Sequence, residues 1–304
     1  MSIDEPALAA TETEARAAFV SRAGGPALDG SALLDRAARA LPGVLSAGAD
    51  VGTALTGLAA YAARGPAPEA WALDLVTGAL RRAPGAPAGD RVGVAAGLTW
   101  LGALESGLAA HCEALIAERL ARPGTRVPRL RPHRVGLGGE AGGPAAPPVR
   151  DAEPARAVPQ ALLRALRTRG EPVAHDLSGL LSLPACAVRL VPDRATVAGG
   201  RADAAPDTVV ATGPTLAAAV RTASERALCL NTARPGGSSG LHTIPPITGA
   251  QEDTTARRSA RPQWSHPLDA LRSQGLTPAA VLLDHDARLD EVLPYVVRIV
   301  LSPR

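Results

Sequence analysis

His111, Cys112 and Glu113 put a base, a thiol and a carboxylate in three consecutive positions, the residue types of a metal site or a Cys–His nucleophile. The letters around them, GLTWLGALESGLAAHCE over Gly97–Glu113 and on through Ala114-Leu115-Ile116, predict a Gly-led entry into a long helix. Neighbouring helical positions point about 100° apart. The three side chains therefore diverge, and the spacing favours Cys112 in a core with His111 and Glu113 at its sides. Asp284-His285-Asp286 also has ligand-type residues, at the end of an expected strand, but reads as a solvated turn. Gly236-Gly237-Ser238-Ser239-Gly240, with His242 nearby, spells a G-x-S-x-G nucleophile motif. That motif needs a strand before it and a helix after it. Ala233-Arg234-Pro235 and Thr243-Ile244-Pro245-Pro246 predict loop on both sides, which argues against a hydrolase. GLGGEAGG at 136–143 has no following GK[ST] and reads as a linker, not a phosphate cradle. Arg81-Arg82 and Arg257-Arg258 read as solvated charge pairs.

The elements that would position these residues follow from periodicity. Residues 1 to about 83 read as Ala/Leu helices over Glu5–Ala23, Ser31–Leu41, Thr53–Ala63 and Glu69–Arg82, punctuated by Gly24-Gly25, Pro42-Gly43 and Gly65-Pro66. APGAPAG (83–89) is a linker, followed by an extended segment over Arg91–Ala95 and the long helix from about Trp100 to Leu120. Within that helix Leu101, Leu104, Leu108, Cys112 and Leu115 recur at three- and four-residue steps and predict one buried stripe. Ala110, Glu113 and Ala114 lie beside it, where inward-facing ligand groups would belong. Beyond a loop at 136–148 come a helix over Pro159–Arg169 and a strand centred on Cys186–Val191. An extended piece over Asp207–Ala211 leads into a helix over Thr215–Asn231. A polar loop runs from Arg234 to about Pro262, then a helix over Pro267–Gln274 and strands over Ala280–Asp284 and Tyr295–Leu301. Alternating helices and strands predict an α+β body of mixed α/β layers. No internal repeat is evident.

Composition narrows the function classes. The 304 residues are 46% hydrophobic but only 2% aromatic, and every positive side chain apart from histidine is Arg, since the chain has no lysine. A GC-rich coding bias accounts for the Arg, Ala, Gly and Pro excess. A formal charge of +3, with no Arg run interleaved with aromatics, gives no reason to expect nucleic acid. Cys112, Cys186 and Cys229 are odd in number and widely spaced, which fits buried reduced thiols and neither a disulfide framework nor a zinc site. The acidic N-terminus lacks signal-peptide character and no apolar run reaches membrane-spanning length. These features predict a cytoplasmic protein with no membrane partner.

The Gly97–Ala114 stretch resembles the first nucleotide-binding helix of the YcaO family, roughly G-x-T-x-x-x-A-x-x-x-x-L-x-E-x-x-E-R. EPVAHDLSGLLSLPACAVRLV (171–191) is similar to the family's Asp-containing passage into a strand. VVATGPTLAAAVRTASERALC (209–229) is similar to its second nucleotide helix, and the segment from His266 to Pro303 to its closing helix and strands. The four occur in order over roughly residues 91–304. The resemblance implies a YcaO-like domain over 90–304, lacking the usual C-terminal part, after a helical N-terminal region and linker over 1–89.

The family's activity is ATP-dependent activation of a backbone amide in a ribosomally made precursor peptide, giving azolines, amidines or thioamides. Clustered glutamates on the two helices hold magnesium and the ATP phosphates. Carried over residue by residue, Glu113 keeps the second glutamate of the first helix, Ala110 replaces the first, and Ala114 replaces the arginine. On the second helix Arg226 and Cys229 fall at the acidic or amide positions, with Glu225 one place out of register. The resemblance therefore implies residual nucleotide-site positions at Glu113, Glu225 and Arg226, with no catalytic residue, metal ligand or cofactor expected. It points to a degenerate subunit acting beside an active YcaO or other peptide-modifying subunit, with the precursor peptide a further partner. The alternatives are an active Mg-ATP-dependent cyclodehydratase with unusual nucleotide ligation or a site completed by a partner, and a helical binding module outside peptide modification.

Overall fold

The computed structural model describes residues 5–44, 50–67, 69–130, 158–191, 208–230, 243–244, 251–252, 262–283 and 286–303; of these, the side chains of 5–10, 229–230, 243–244 and 251–252 are not described. The Gly136–Gly143 segment, the Gly236–Gly240 motif with His242, Asp284-His285 and Arg257-Arg258 lie outside the described residues, as does the side chain of Cys229. The chain divides into two compact units. One comprises Met1–His111 and Leu271–Arg304, the other Cys112–Ala270.

The first unit begins with helices α1 (Glu5–Ala23), α2 (Gly30–Ala40) and α3 (Val51–Ala62). Asp29 and Asp50 start the latter two by accepting hydrogen bonds from the amides of Ser31 and Ala32, and of Thr53. Phe19, buried on α1, meets the ring of Trp100 edge-on at 6.0 Å. Strands β1 (Ala70–Asp74), β2 (Leu80–Ala83) and β3 (Val94–Ala96) follow, and α4 (Trp100–Leu120) begins in this unit.

The expected helix over Glu69–Arg82 is instead the β1–β2 hairpin. Asp74 Oδ1 accepts the amides of Val76 (2.8 Å) and Thr77 (2.9 Å), and Gly78 takes φ +71, so the chain reverses where a helix would need to continue. Trp71 and Arg82 face each other across the strands, with the guanidinium 4.5 Å from the indole centroid. The hairpin satisfies its backbone through a sheet of order β2-β1-β10-β11-β3, all pairs antiparallel, with β10 (Leu276–Leu282) and β11 (Val296–Pro303) toward its centre.

The second unit holds β4 (Arg126–Val127), α5 (Gln160–Arg167), β5 (Glu171–Asp176), the one-turn α6 (Ser178–Leu181), β6 (Ala185–Val191), β7 (Thr208–Thr212), α7 (Leu216–Leu230), β8 (Thr243–Ile244) and β9 (Gln251–Glu252). Its sheet has the antiparallel order β5-β6-β7-β8, and β4 pairs with β9 in parallel. Ala174, Val188, Val209 and Ala211 project from one face of that sheet onto Ala219, Val220, Ala223 and Ala227 of α7 and Leu163 and Leu166 of α5. Small alanines on α7 let the helix lie close to the strands, which is how an aromatic-poor chain still makes a dense core. Helix α8 (Pro267–Ser273) and the short α9 (Ala287–Val292), which precedes β11, complete the elements. The architecture is α+β, as expected.

Each unit contains a copy of one local device that the sequence reading missed. Strand β3 runs through Gly97-Leu98-Thr99 into α4, and β7 runs through Gly213-Pro214-Thr215 into α7. Each Thr caps its helix, Thr99 Oγ1 accepting from Gly102 N (3.0 Å) and Thr215 Oγ1 from Ala218 N (3.1 Å). Each Gly amide donates at 3.1 Å to the carbonyl just before the neighbouring strand, Gly97 to Tyr295 and Gly213 to Pro184. The hairpins match as well, with Leu283 N donating to Val296 O and Leu177 N to Ala185 O. In the first unit the strand–helix half precedes its hairpin in the chain by more than a hundred residues. The repeat is therefore permuted and has no fixed period a sequence scan would find.

Candidate functional site

Helix α4 buries part of the stripe that its leucines suggest and adds small residues to it. Leu101 is 61% exposed, and the buried positions are Ala103, Gly107, Leu108, Cys112, Glu113, Ile116 and Leu120. A Cβ on Gly107 would lie 2.6 Å from Ile299 Cγ1. Leu108 and Cys112 of the expected stripe are buried, Leu104 and Leu115 are half-buried, and the small Ala103 and Gly107 share the inward face. Glu113 is buried, with 3% of its surface exposed.

Both oxygens of Glu113 are engaged. Oε1 accepts the backbone N–H of Thr212 at 3.1 Å, and Oε2 accepts Nη1 of Arg226 at 2.8 Å. The same Nη1 donates to the carbonyl of Val210 at 3.2 Å. Arg226 stands thirteen residues beyond Gly213 on α7, as Ala110 stands thirteen beyond Gly97 on α4. The Arg226 side chain is 32% exposed and that of Glu113 4%, so the pair has a dry inner end and a wet outer end. Glu225, one helical step away, points to solvent and pairs with Arg221 one turn back at 2.9 Å. Of the three residues expected at this site, the fold joins Glu113 to Arg226 and turns Glu225 away. Thr212 and Val210 take part through backbone groups, which no side-chain motif encodes.

As they stand, these groups do not make a magnesium site. The ion seeks several oxygen ligands in a near-octahedral shell. Here a single carboxylate has both oxygens committed, and a guanidinium, which cannot ligate, sits against it. Among the described residues no group of three or more His, Cys, Asp or Glu comes together in a way that could hold a metal.

His111 and Cys112 diverge from Glu113 as helical geometry requires. His111 Nε2 lies 2.7 Å from the carbonyl of Ile299, while the Cys112 thiol faces the carbonyl of Pro267 at 3.7 Å. Burial, helped by the neighbouring Glu113 charge, pushes the Cys112 thiol up to about 12. It is a protonated core residue, not a nucleophile. Asp176, the acidic residue of the 171–191 passage, is buried, accepts the Ser178 amide at 2.8 Å, and lies opposite Cys186 in the β5–β6 register. Burial, with the Asp176 charge adding to it, raises the Cys186 thiol as well. Asp286 caps α9 by accepting the Arg288 amide at 3.0 Å, the role of a turn residue. Among the described residues no helix is long and apolar enough to cross a membrane.

No protein-family model and no curated protein matches this sequence. Solved structures do. A heterocyclase in complex with substrate and cofactor is similar at 15% identity and a TM-score of 0.50, covering 77% of this chain and 32% of its own. The Escherichia coli microcin synthetase McbBCD complex is similar at 13% identity and a TM-score of 0.46, over 77% and 64% of the two chains. The heterocyclase TruD is similar at 14% identity and a TM-score of 0.41, over 77% and 34%. The chain thus spans about a third of the length of the first of these heterocyclases. What the first likeness establishes is architectural: this chain shares its α+β fold with a heterocyclase.

Proposed function

We propose that the chain is a degenerate YcaO-like subunit of a ribosomal-peptide modification complex. It supports ATP-dependent azoline- or thioamide-type chemistry on a precursor peptide without itself hydrolysing ATP. The observation that carries this reading is the state of Glu113, whose two oxygens already accept from Thr212 and Arg226. A carboxylate neutralised by a fixed guanidinium has little left to offer a metal–nucleotide complex. Support for the peptide-modifying context comes from the shared heterocyclase fold and from the order of the four segments over 91–304. On this reading the scaffold docks an active partner subunit, the precursor peptide, or both.

Calorimetric titration of the purified chain with Mg-ATP, with Glu113→Ala as control, tests the nucleotide half of the proposal. No heat of binding is expected from either protein. Binding that disappears in Glu113→Ala would identify an active ATP-dependent cyclodehydratase instead. Affinity capture of the tagged chain from the producing cell tests the other half. Recovery of peptide-modifying enzymes is expected, and loss of backbone modification when the chain is deleted. Modification that proceeds normally without the chain would end this reading and leave a binding module outside the pathway.

A further inference from the structure

We propose that Glu113 and Arg226 form a resident clasp that, in place of a bound cation, holds the β7 edge beyond its described pairing with β8, so that this edge needs neither metal nor nucleotide. The inference rests on the reading of these positions as former nucleotide-site positions, and the geometry of β7 adds what that reading lacks.

Gly213 N–H points to the β6 side, where it meets Pro184 O. Alternate residues of an antiparallel strand direct their amides and carbonyls to opposite edges. Val210 and Thr212 therefore direct theirs away from β6. Among the described residues, β8 pairs with β7 at Thr208 and Val209 alone. Beyond that pairing, the amides and carbonyls of Val210 and Thr212 in a fully buried strand face the β8 side, the Val210 carbonyl and the Thr212 amide among them. A buried polar group without a partner is strongly disfavoured.

The clasp answers the Val210 carbonyl and the Thr212 amide. Glu113 accepts the Thr212 amide, Arg226 donates to the Val210 carbonyl, and the ion pair between them closes the loop. A pair of side chains with no net charge thus continues the sheet edge past the β8 pairing. The guanidinium supplies the positive charge that the buried carboxylate needs, and it is covalently held. Removing divalent ions should leave the unit unchanged, because Arg226 already balances Glu113.

Three measurements test the clasp. The first compares thermal melts of the wild-type chain in EDTA and in millimolar Mg²⁺, where equal melting temperatures are expected. The second follows amide exchange at Thr212 by NMR, which should speed up roughly tenfold in Glu113→Gln and in Arg226→Met as one hydrogen bond weakens. In the third, Arg226→Glu sets two carboxylates face to face. That variant should melt lower than wild type in EDTA and recover on addition of Mg²⁺. A wild-type melting temperature that rises with Mg²⁺, or Thr212 exchange unmoved in Glu113→Gln, would overturn the proposal. If Arg226→Glu does not fold, those two measurements decide alone. Failure to capture peptide-modifying partners would remove the proposed complex and leave the clasp standing, while Thr212 exchange unmoved in Glu113→Gln would remove the clasp and leave the proposed complex standing.

Discussion

The amide of Thr212 donates to Oε1 of Glu113 at 3.1 Å, joining the last residue of β7 to a helix 99 residues earlier in the chain. Truncating Glu113 removes the acceptor from a buried donor and strands an Arg226 that is a third exposed and can be solvated, whereas truncating Arg226 strands the buried Glu113 carboxylate. Arg226→Met should therefore cost about 3 kcal/mol and Glu113→Ala about 2 kcal/mol. Urea denaturation would measure both. The double variant should cost clearly less than the sum, because the two side chains share one interaction. Additive costs would mean that the pair is not coupled.

Gly213 and Gly97 predict a graded pair of substitutions. A Cβ at Gly97 would sit 2.4 Å from Ala103 N, and one at Gly213 would sit 2.8 Å from Ala219 N. Both obstacles are backbone atoms of a helix's first turn, so the helix must move. Alanine at either should cost about 2–3 kcal/mol, Gly97 more than Gly213. Gly124 provides the control: it has φ +81 and open space, so Gly124→Ala bears only the left-handed backbone penalty of about 1–2 kcal/mol. Equal losses at all three positions would dismiss close packing as the cause.

Cys112 and Cys186 should resist alkylation in the folded protein and react only on unfolding. Mass-spectrometric mapping after iodoacetamide treatment at pH 8 would read this directly. The raised thiol at Cys112 also sets a pH window. Below about pH 8.5, the unfolded value, the thiol is protonated in both states and stability is unaffected by it. As pH climbs from there towards the folded value of about 12, the unfolded chain ionises first and stability falls. Cys112→Ala should flatten that alkaline decline, and an unchanged slope would show that other groups cause it.

Asp50 caps α3 through the Thr53 amide at 2.7 Å, and that backbone hydrogen bond holds its carboxyl below the ordinary carboxylate range. Asp50→Ala should cost about 1 kcal/mol at neutral pH, with Asp50→Ser close to wild type. The charged form makes the bond, so its contribution is present above the unfolded value of about 3.9 and is lost as pH falls through the lower folded value. The stability gap between the wild type and the Asp50→Ala variant should therefore close on acidification. A gap independent of pH would assign the effect to helix propensity.

Much of the fold was legible in local pattern. The helix over Trp100–Leu120 and the helix from Leu216 to Leu230 follow from apolar spacing, whereas their Thr99 and Thr215 caps were not read from the pattern. Alternation around Cys186–Val191 marks β6, and the strand expected over Tyr295–Leu301 is β11, which runs from Val296 to Pro303. The β1–β2 hairpin was not legible, because Ala, Leu and Arg favour a helix locally. Pairing with β10, two hundred residues away, decided otherwise. The inward face of α4 was legible in part: Leu108 and Cys112 are buried as their spacing suggests, while Leu101 is exposed and Gly107 is buried against Ile299, a contact that leucine spacing does not record.

For the candidate site the division is equally physical. The amino-acid sequence alone determined which groups exist to do chemistry: one carboxylate at 113, an arginine at 226, a glutamate at 225, and apolar or thiol residues at the neighbouring positions. Only the tertiary structure decided that Glu113 would be buried, that Arg226 and not Glu225 would reach it, and that both would close an edge of β7. Side-chain type is a local property of the chain. Burial, charge pairing and the fate of backbone groups depend on residues that the fold alone brings within hydrogen-bond reach.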